Sequence, residues 1–170
     1  MIARPLLFAL ATALFAGASG CTHYRLGTGA APAFATLHVA PVEARALIPQ
    51  AQPVVSSMLR EAFLRDGRVQ LVHATEADAV LTVVLTGYDR EVATVRPGDT
   101  GLARKFDVTL SAEATLRDNR TGTDLFVRRP LTAKRQLFTD SGQVQAEYQL
   151  LPLLAEDLAE KARRAALDVW

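Results

Sequence analysis

One cysteine, Cys21, serves the whole chain, and only three histidines accompany it. A lone cysteine cannot close an intrachain disulfide, so the fold must rest on packing. His23, His38 and His73 stand apart, with no HExxH and no paired-ligand spacing, so the usual sequence signatures of a metal centre are missing. There is no GxSxG and no phosphate-cradling glycine loop; Gly27-Thr28-Gly29 is too short to be one. Neither sign of charge is in surplus, with 19 Lys and Arg against 18 Asp and Glu. That balance makes no electrostatic case for nucleic acid. Beyond Ala16 no apolar run approaches the roughly 20 residues that span a bilayer. We therefore expect no catalytic residues, no metal and no cofactor: not an enzyme, and no nucleic-acid partner. Glu43, Glu61 and Glu76 fall on separate elements. A carboxylate pair brought together by the fold is the catalytic arrangement left open.

The apolar exception lies at the start. The amino terminus and Arg4 form a short positive region, and an almost unbroken apolar run follows from Pro5 to Ala16. Its length suits the roughly 7–15-residue core of a secretory signal. Ala18-Ser19-Gly20-Cys21 then places small residues directly before the cysteine. This resembles the lipobox of bacterial lipoproteins, in which the cysteine sulfur is acylated, the chain is cut before it and the new amine is acylated too. One acyl chain holds only marginally, but several make an anchor permanent. The alternative is an ordinary signal cut that leaves a free thiol. Thr22 stands where Asp would mark retention at the inner membrane, so the same resemblance implies the outer membrane. The expected layout is a lipoprotein signal peptide over 1–20, a lipid-anchored tether over 21–35 and a single domain over 36–170. Cleavage removes one charged side chain, Arg4, and takes the net charge from +1 to zero.

Thr22 to Phe34 is rich in Gly, Ala and Pro, as a tether would be, though Tyr24 and Leu26 could add a short edge pairing. Residues 35–42 alternate, with Leu37 and Val39 on one face and His38 on the other. Val54, Val55, Met58, Leu59, Ala62 and Phe63 fit one face of a helix that opens at Pro53 and closes at Gly67. Arg68 to His73 reads as a short strand. Ala79 to Thr94 reads as a long one, with Leu81, Val83 and Leu85 on one face, Thr82, Val84, Thr86 and Tyr88 on the other, and Gly87 marking a bulge. Lys105 to Arg117 alternates most cleanly: Phe106, Val108, Leu110, Ala112, Ala114 and Leu116 share a face. Asp118 to Gly122 makes a hairpin connection, and Thr123 to Phe138 returns, its Pro130 marking an edge strand. Leu151, Leu154, Leu158, Ala162, Ala165 and Val169 stripe a last helix, which begins at Pro152 or near Val144 with a kink. The predicted class is α+β: a two-layer sandwich with a mainly antiparallel sheet of about four strands and two amphipathic helices on one face.

Basic residues gather on the predicted edge strand. Arg128, Arg129, Lys134 and Arg135 lie along it, with Arg90, Arg104 and Lys105 as neighbours. Two readings stand side by side. Charges on an edge strand block unwanted pairing. Arg and Lys also bind phosphate groups, Arg through a bidentate fork.

The chain resembles the LPS-assembly lipoprotein (LptE) family. The resemblance runs through Cys21-Thr22-His23-Tyr24-Arg25-Leu26, where Thr and His replace the family's usual Gly, and the strand ATLHVAPVEAR. It continues through Phe63 to Arg68, Ala77 to Leu81, Tyr88-Asp89-Arg90-Glu91, Leu116-Arg117-Asp118 with Thr121-Gly122, and Leu154 to Ala159. What it implies is an outer-membrane lipoprotein of Gram-negative bacteria, anchored through Cys21. Such a protein sits on the periplasmic side within an LptD-type barrel and helps deliver lipopolysaccharide to the cell surface. Arg90, Arg128, Arg129, Lys134 and Arg135 are the candidates for direct lipopolysaccharide binding. The runner-up is a periplasm-facing adaptor lipoprotein that binds a protein or cell-wall partner without lipopolysaccharide.

Overall fold

A computed structural model describes residues 32–46, 50–93, 105–138 and 143–168. The expected signal peptide, Cys21, nearly all of the tether, the loop over 96–101 and Arg104 lie outside the described residues. The elements run β1 (Thr36–Val39), β2 (Glu43–Ala44), α1 (Ala51–Asp66), β3 (Gln70–Leu71), β4 (Ala79–Val92), β5 (Lys105–Asp118), β6 (Thr123–Phe138) and α2 (Gln143–Leu167).

Alternation builds the sheet. Val108, Leu110, Ala112, Ala114 and Leu116 of β5 are buried, while Thr109, Ser111, Glu113 and Thr115 between them are half-exposed. A strand with one dry face requires a second layer, and both helices supply it. Val55, Leu59, Ala62 and Phe63 of α1 join Leu150, Leu154, Leu158 and Ala162 of α2 in one core with the sheet's dry face. Each fully buried Leu contributes about 2 kcal/mol of transfer free energy.

α1 carries Pro53 in its first turn, where the missing N–H had no helical partner. It ends at Gly67, whose φ of 71° lies in the left-handed region and whose N–H donates to the Phe63 carbonyl at 3.1 Å. A side chain there would be strained. α2 begins at Gln143, so Pro152 lies well inside it, exposed. The helix tolerates the proline because it faces solvent, where water can satisfy the freed carbonyl.

The sheet has six strands rather than about four. Its order is β3-β1-β4-β5-β6, with β2 also on β4. β4, β5 and β6 are antiparallel, as expected; β1 pairs in parallel with β3 and β4, and β2 in parallel with β4. β3 falls within the short strand expected over 68–73; the addition is β2, two residues long and too short to carry a period. β6 is the last strand of the order, and Pro130 is exposed on it.

Bulges decide which side chains face which layer. Leu85 pairs with Ala112, but the next rung joins Gly87 to Ser111, so Thr86 is extra. From there the parity of β4 inverts. Tyr88, expected beside Thr82 and Val84, instead pairs with Leu110 and packs on the core. In β6 the ladder jumps from Arg129–Ala114 to Phe126–Leu116, and Arg128 adopts a φ of 48°. An extra residue bends such a strand and raises its twist, which also protects an edge.

Charged side chains close two seams. Arg68 donates to Asp66 at 2.6 Å and to Asp168 at 2.8 Å, and Arg163 also bonds Asp66, joining the ends of α1 and α2. At the other seam the Asp78 carboxylate accepts the N–H groups of Ala35 and Thr36 at 3.0 Å each, which fixes the start of β1.

Candidate functional site

The dry and wet faces of β5 divide the basic residues between them. Arg90 and Arg135 both pair with Val108 from opposite sides, so they share one row on the helix-covered face. Lys134 pairs with Thr109 in the next row, on the open face. Arg129 pairs with Ala114, six positions beyond Val108 and five beyond Thr109, a distance of about 17–20 Å at 3.3 Å per residue. The fold thus brings Arg90, Lys134 and Arg135 to one end of the sheet and leaves Arg128 and Arg129 away from them.

Every one of these five cations has a partner. Arg135 donates to both oxygens of Asp157 at 2.7 Å, and Arg90 bonds Glu147; both acids lie on α2. Lys134 meets Asp107 at 3.0 Å. Arg128 donates to Glu113 at 2.9 and 3.1 Å, and Arg45 joins the same carboxylate at 3.3 Å. Arg129 donates to the Ala165 carbonyl at 3.2 Å and lies 4.6 Å from the Phe126 ring centre. The electrostatics follow from these bonds. The hydrogen bond from Lys134 holds the Asp107 carboxyl below its ordinary range, and that from Arg128 does the same to Glu113. Arg135 likewise lowers Asp157, against the burial that opposes it. Tyr88 moves the other way, pushed up first by burial and then by the Glu147 charge.

The end of the sheet that holds Arg90 and Lys134 also carries aromatic and apolar surface. Lys105 lies 5.8 Å from the Phe138 ring centre, and Arg90 lies 5.8 Å from that of Phe106. Val92, Phe138 and Tyr148 are each more than half exposed. Cations set among exposed rings can meet a molecule that is both anionic and greasy. Sequence reading passed over Phe106, Phe138 and Tyr148 as ordinary pattern residues. The signal that could have found them is the adjacency of Lys105 to Phe106 and the exposed parity of Phe138.

The chain enters at the opposite end. Arg120, in the β5–β6 connection, donates to the Ala33 carbonyl at 2.9 Å. Asp118 and Lys105 bound β5, so the two ends are about 43 Å apart at 3.3 Å per residue. No group of three or more metal-ligating side chains occurs among the described residues. No helix there is long and apolar enough to cross a membrane.

A sheet covered on one face by two helices defines a class of small α+β sandwiches, several of them solved. The hypothetical protein CT253 from Chlamydia trachomatis superposes with a TM-score of 0.54 at 11% identity, over 78% of this chain and 95% of that one. Uncharacterized lipoprotein B from Nitrosomonas europaea gives 0.54 at 17% identity, over 84% and 90%. A minor lipoprotein from Acinetobacter baumannii gives 0.50 at 20% identity, over 78% and 91%. These likenesses are of fold. Among curated protein sequences none matches the chain. Within that class the particular family is shown by sequence: the model of LptE, described as lipopolysaccharide-assembly, matches residues 34–165. The chain belongs to the LptE family.

Proposed function

We propose that this protein is an outer-membrane lipoprotein that assists lipopolysaccharide assembly as the plug and partner of an LptD-type barrel. The family match over residues 34–165 is the observation that carries this reading. Acylation of Cys21 anchors the chain. The 11 residues of 21–31 reach at most about 40 Å, which keeps the domain close beneath the bilayer. Tethering raises its effective concentration at the periplasmic mouth of the barrel. The open sheet face, with its half-exposed threonines and paired charges, suits the polar lumen of a large barrel.

In this reading lipopolysaccharide binds directly at the far end of the sheet. Arg90, Lys134 and Arg135 meet its phosphates, and Phe106, Phe138 and Tyr148 meet its apolar part. The phosphates displace carboxylates that now occupy those cations, so binding depends on a charge exchange rather than on idle arginines. Arg128 and Arg129 act elsewhere, at the bulged edge of β6. Nothing in this role calls for catalysis.

The test is co-purification of the acylated protein with its barrel from detergent-solubilised outer membranes. Stoichiometric recovery of the pair is expected. Recovery of this chain alone, with the barrel intact, counts against the plug and favours an adaptor for a protein or cell-wall partner. Mass spectrometry that finds Cys21 without acyl groups removes the anchor.

A further inference from the structure

A cavity of about 480 Å³ opens at the β1–β3 side of the sheet, away from every residue assigned above. His38, Arg60 and His73 line it, with Val39, Leu71 and Val72 as apolar wall. No carboxylate is among its lining residues. Arg60 has neither an ion pair nor a hydrogen bond among the described residues, in contrast to Arg45, Arg65, Arg68, Arg128 and Arg135, which all meet acids. The cavity therefore carries a permanent positive charge that no carboxylate pairs with among the described residues.

The imidazoles narrow the ligand further. His38 Nδ1 lies 3.0 Å from the Val72 carbonyl oxygen. A carbonyl only accepts, so Nδ1 carries the hydrogen and Nε2 is left to accept when the ring is neutral. The His73 ring makes no hydrogen bond among the described residues. A fitting ligand brings an anionic group for the Arg60 fork and a hydroxyl to donate to His38. It also needs enough carbon to lie against Val39 and Leu71. Three polar side chains in one lining suit the several oxygens of a phosphate better than the two of a carboxylate. The volume lies in the range of small-molecule sites.

We propose that this cavity binds a hydroxyl-bearing organic phosphate of the glycerol phosphate type. The same chemistry occurs in a soluble metabolite and in a phospholipid headgroup.

The experiment titrates the mature chain with three probes while the imidazole proton resonances of His38 and His73 are followed by NMR. The probes are glycerol 3-phosphate, inorganic phosphate, and phosphatidylcholine vesicles with or without phosphatidylglycerol. The resonances are assigned with His38→Gln and His73→Gln. Saturable shifts of both rings with glycerol phosphate are expected, weakened at least tenfold, about 1.4 kcal/mol, by Arg60→Gln. Arg60 is exposed and unpartnered, so that variant should fold. Shifts only with vesicles containing phosphatidylglycerol also support the site and assign it to a lipid headgroup. No saturable shift with any probe, or equal affinity in Arg60→Gln, overturns the proposal. Inorganic phosphate binding as tightly as glycerol phosphate overturns the assignment of an organic ligand.

Discussion

Arg135 on β6 and Asp157 on α2 meet through two parallel hydrogen bonds, Nε to Oδ2 and Nη2 to Oδ1, each 2.7 Å long. The fork holds the sheet edge to the helix and at the same time occupies the group proposed to meet phosphate. Asp157→Asn separates the two roles. It removes the charge that competes with a phosphate and keeps the side chain's shape. We expect lipopolysaccharide to bind Asp157→Asn several-fold more tightly, read by titration with the purified lipid. Unchanged affinity would take Arg135 out of the binding site.

Burial alone separates two neighbours on α2. Leu154 is fully buried, whereas Leu153 is 42% exposed. Leu154→Ala leaves a cavity in a core that cannot fully collapse and should cost about 3 kcal/mol. Leu153→Ala should cost about 0.5 kcal/mol or less. Urea unfolding of both variants, with unchanged slopes, measures the difference.

Asp66 receives hydrogen bonds from Arg68 and Arg163, and its side chain is only 10% exposed. The Arg68 hydrogen bond holds its carboxyl below the ordinary 3.8, although burial pulls the other way. A carboxyl depressed in the folded state takes up protons more readily when the chain is unfolded. Its stabilisation is therefore full above about pH 5 and fades as the pH falls through and below 4. Asp66→Asn should cost about 2 kcal/mol at neutral pH, because the amide keeps one accepting oxygen but loses the charge and turns an NH2 donor toward a guanidinium. The same variant should lose less than the parent when taken to pH 3. Equal acid sensitivity in both would mean that Asp66 is not a source of it.

Gly67 caps α1 at a φ of 71°, and a Cβ built there meets nothing within 4 Å. The cost of Gly67→Ala is thus backbone strain without a clash, about 1 kcal/mol. Thermal unfolding should show a loss of a few degrees with the fold retained.

Much of this architecture was legible because it is periodic or punctuated. Phe106 to Leu116 alternate without a break, Gly67 ends a helical stripe, and Pro130 marks an edge. Gly87 signals the bulge, yet simple alternation puts Tyr88 on the wrong face, because one extra residue inverts every later side chain. β2 left no trace, since two residues define no period, whereas β3 lies inside the short strand expected over 68–73. The basic cluster was visible as composition alone. That Arg90 and Arg135 flank Val108 follows from register across three strands, and that Glu147 and Asp157 cover them follows from how α2 packs. Such relations between distant elements are set by tertiary contacts and have no local signature.

Register also supplies the sharpest test of the lipid site. Arg90→Gln with Lys134→Gln removes two charges from the end of the sheet that carries Phe106, Phe138 and Tyr148. Arg128→Gln with Arg129→Gln removes two charges about 17–20 Å away along the same ladder at 3.3 Å per residue. The change in net charge is identical, so any long-range attraction is weakened alike, and salt screens it over about 8–10 Å in any case. If contact with phosphate governs binding, the first double variant should lose at least tenfold in lipopolysaccharide affinity, and the second less than threefold. Comparable losses would show that overall charge matters and the end of the sheet does not. Losses confined to the second would move the site to the bulged edge of β6, where Arg128 adopts its left-handed φ beside Glu113.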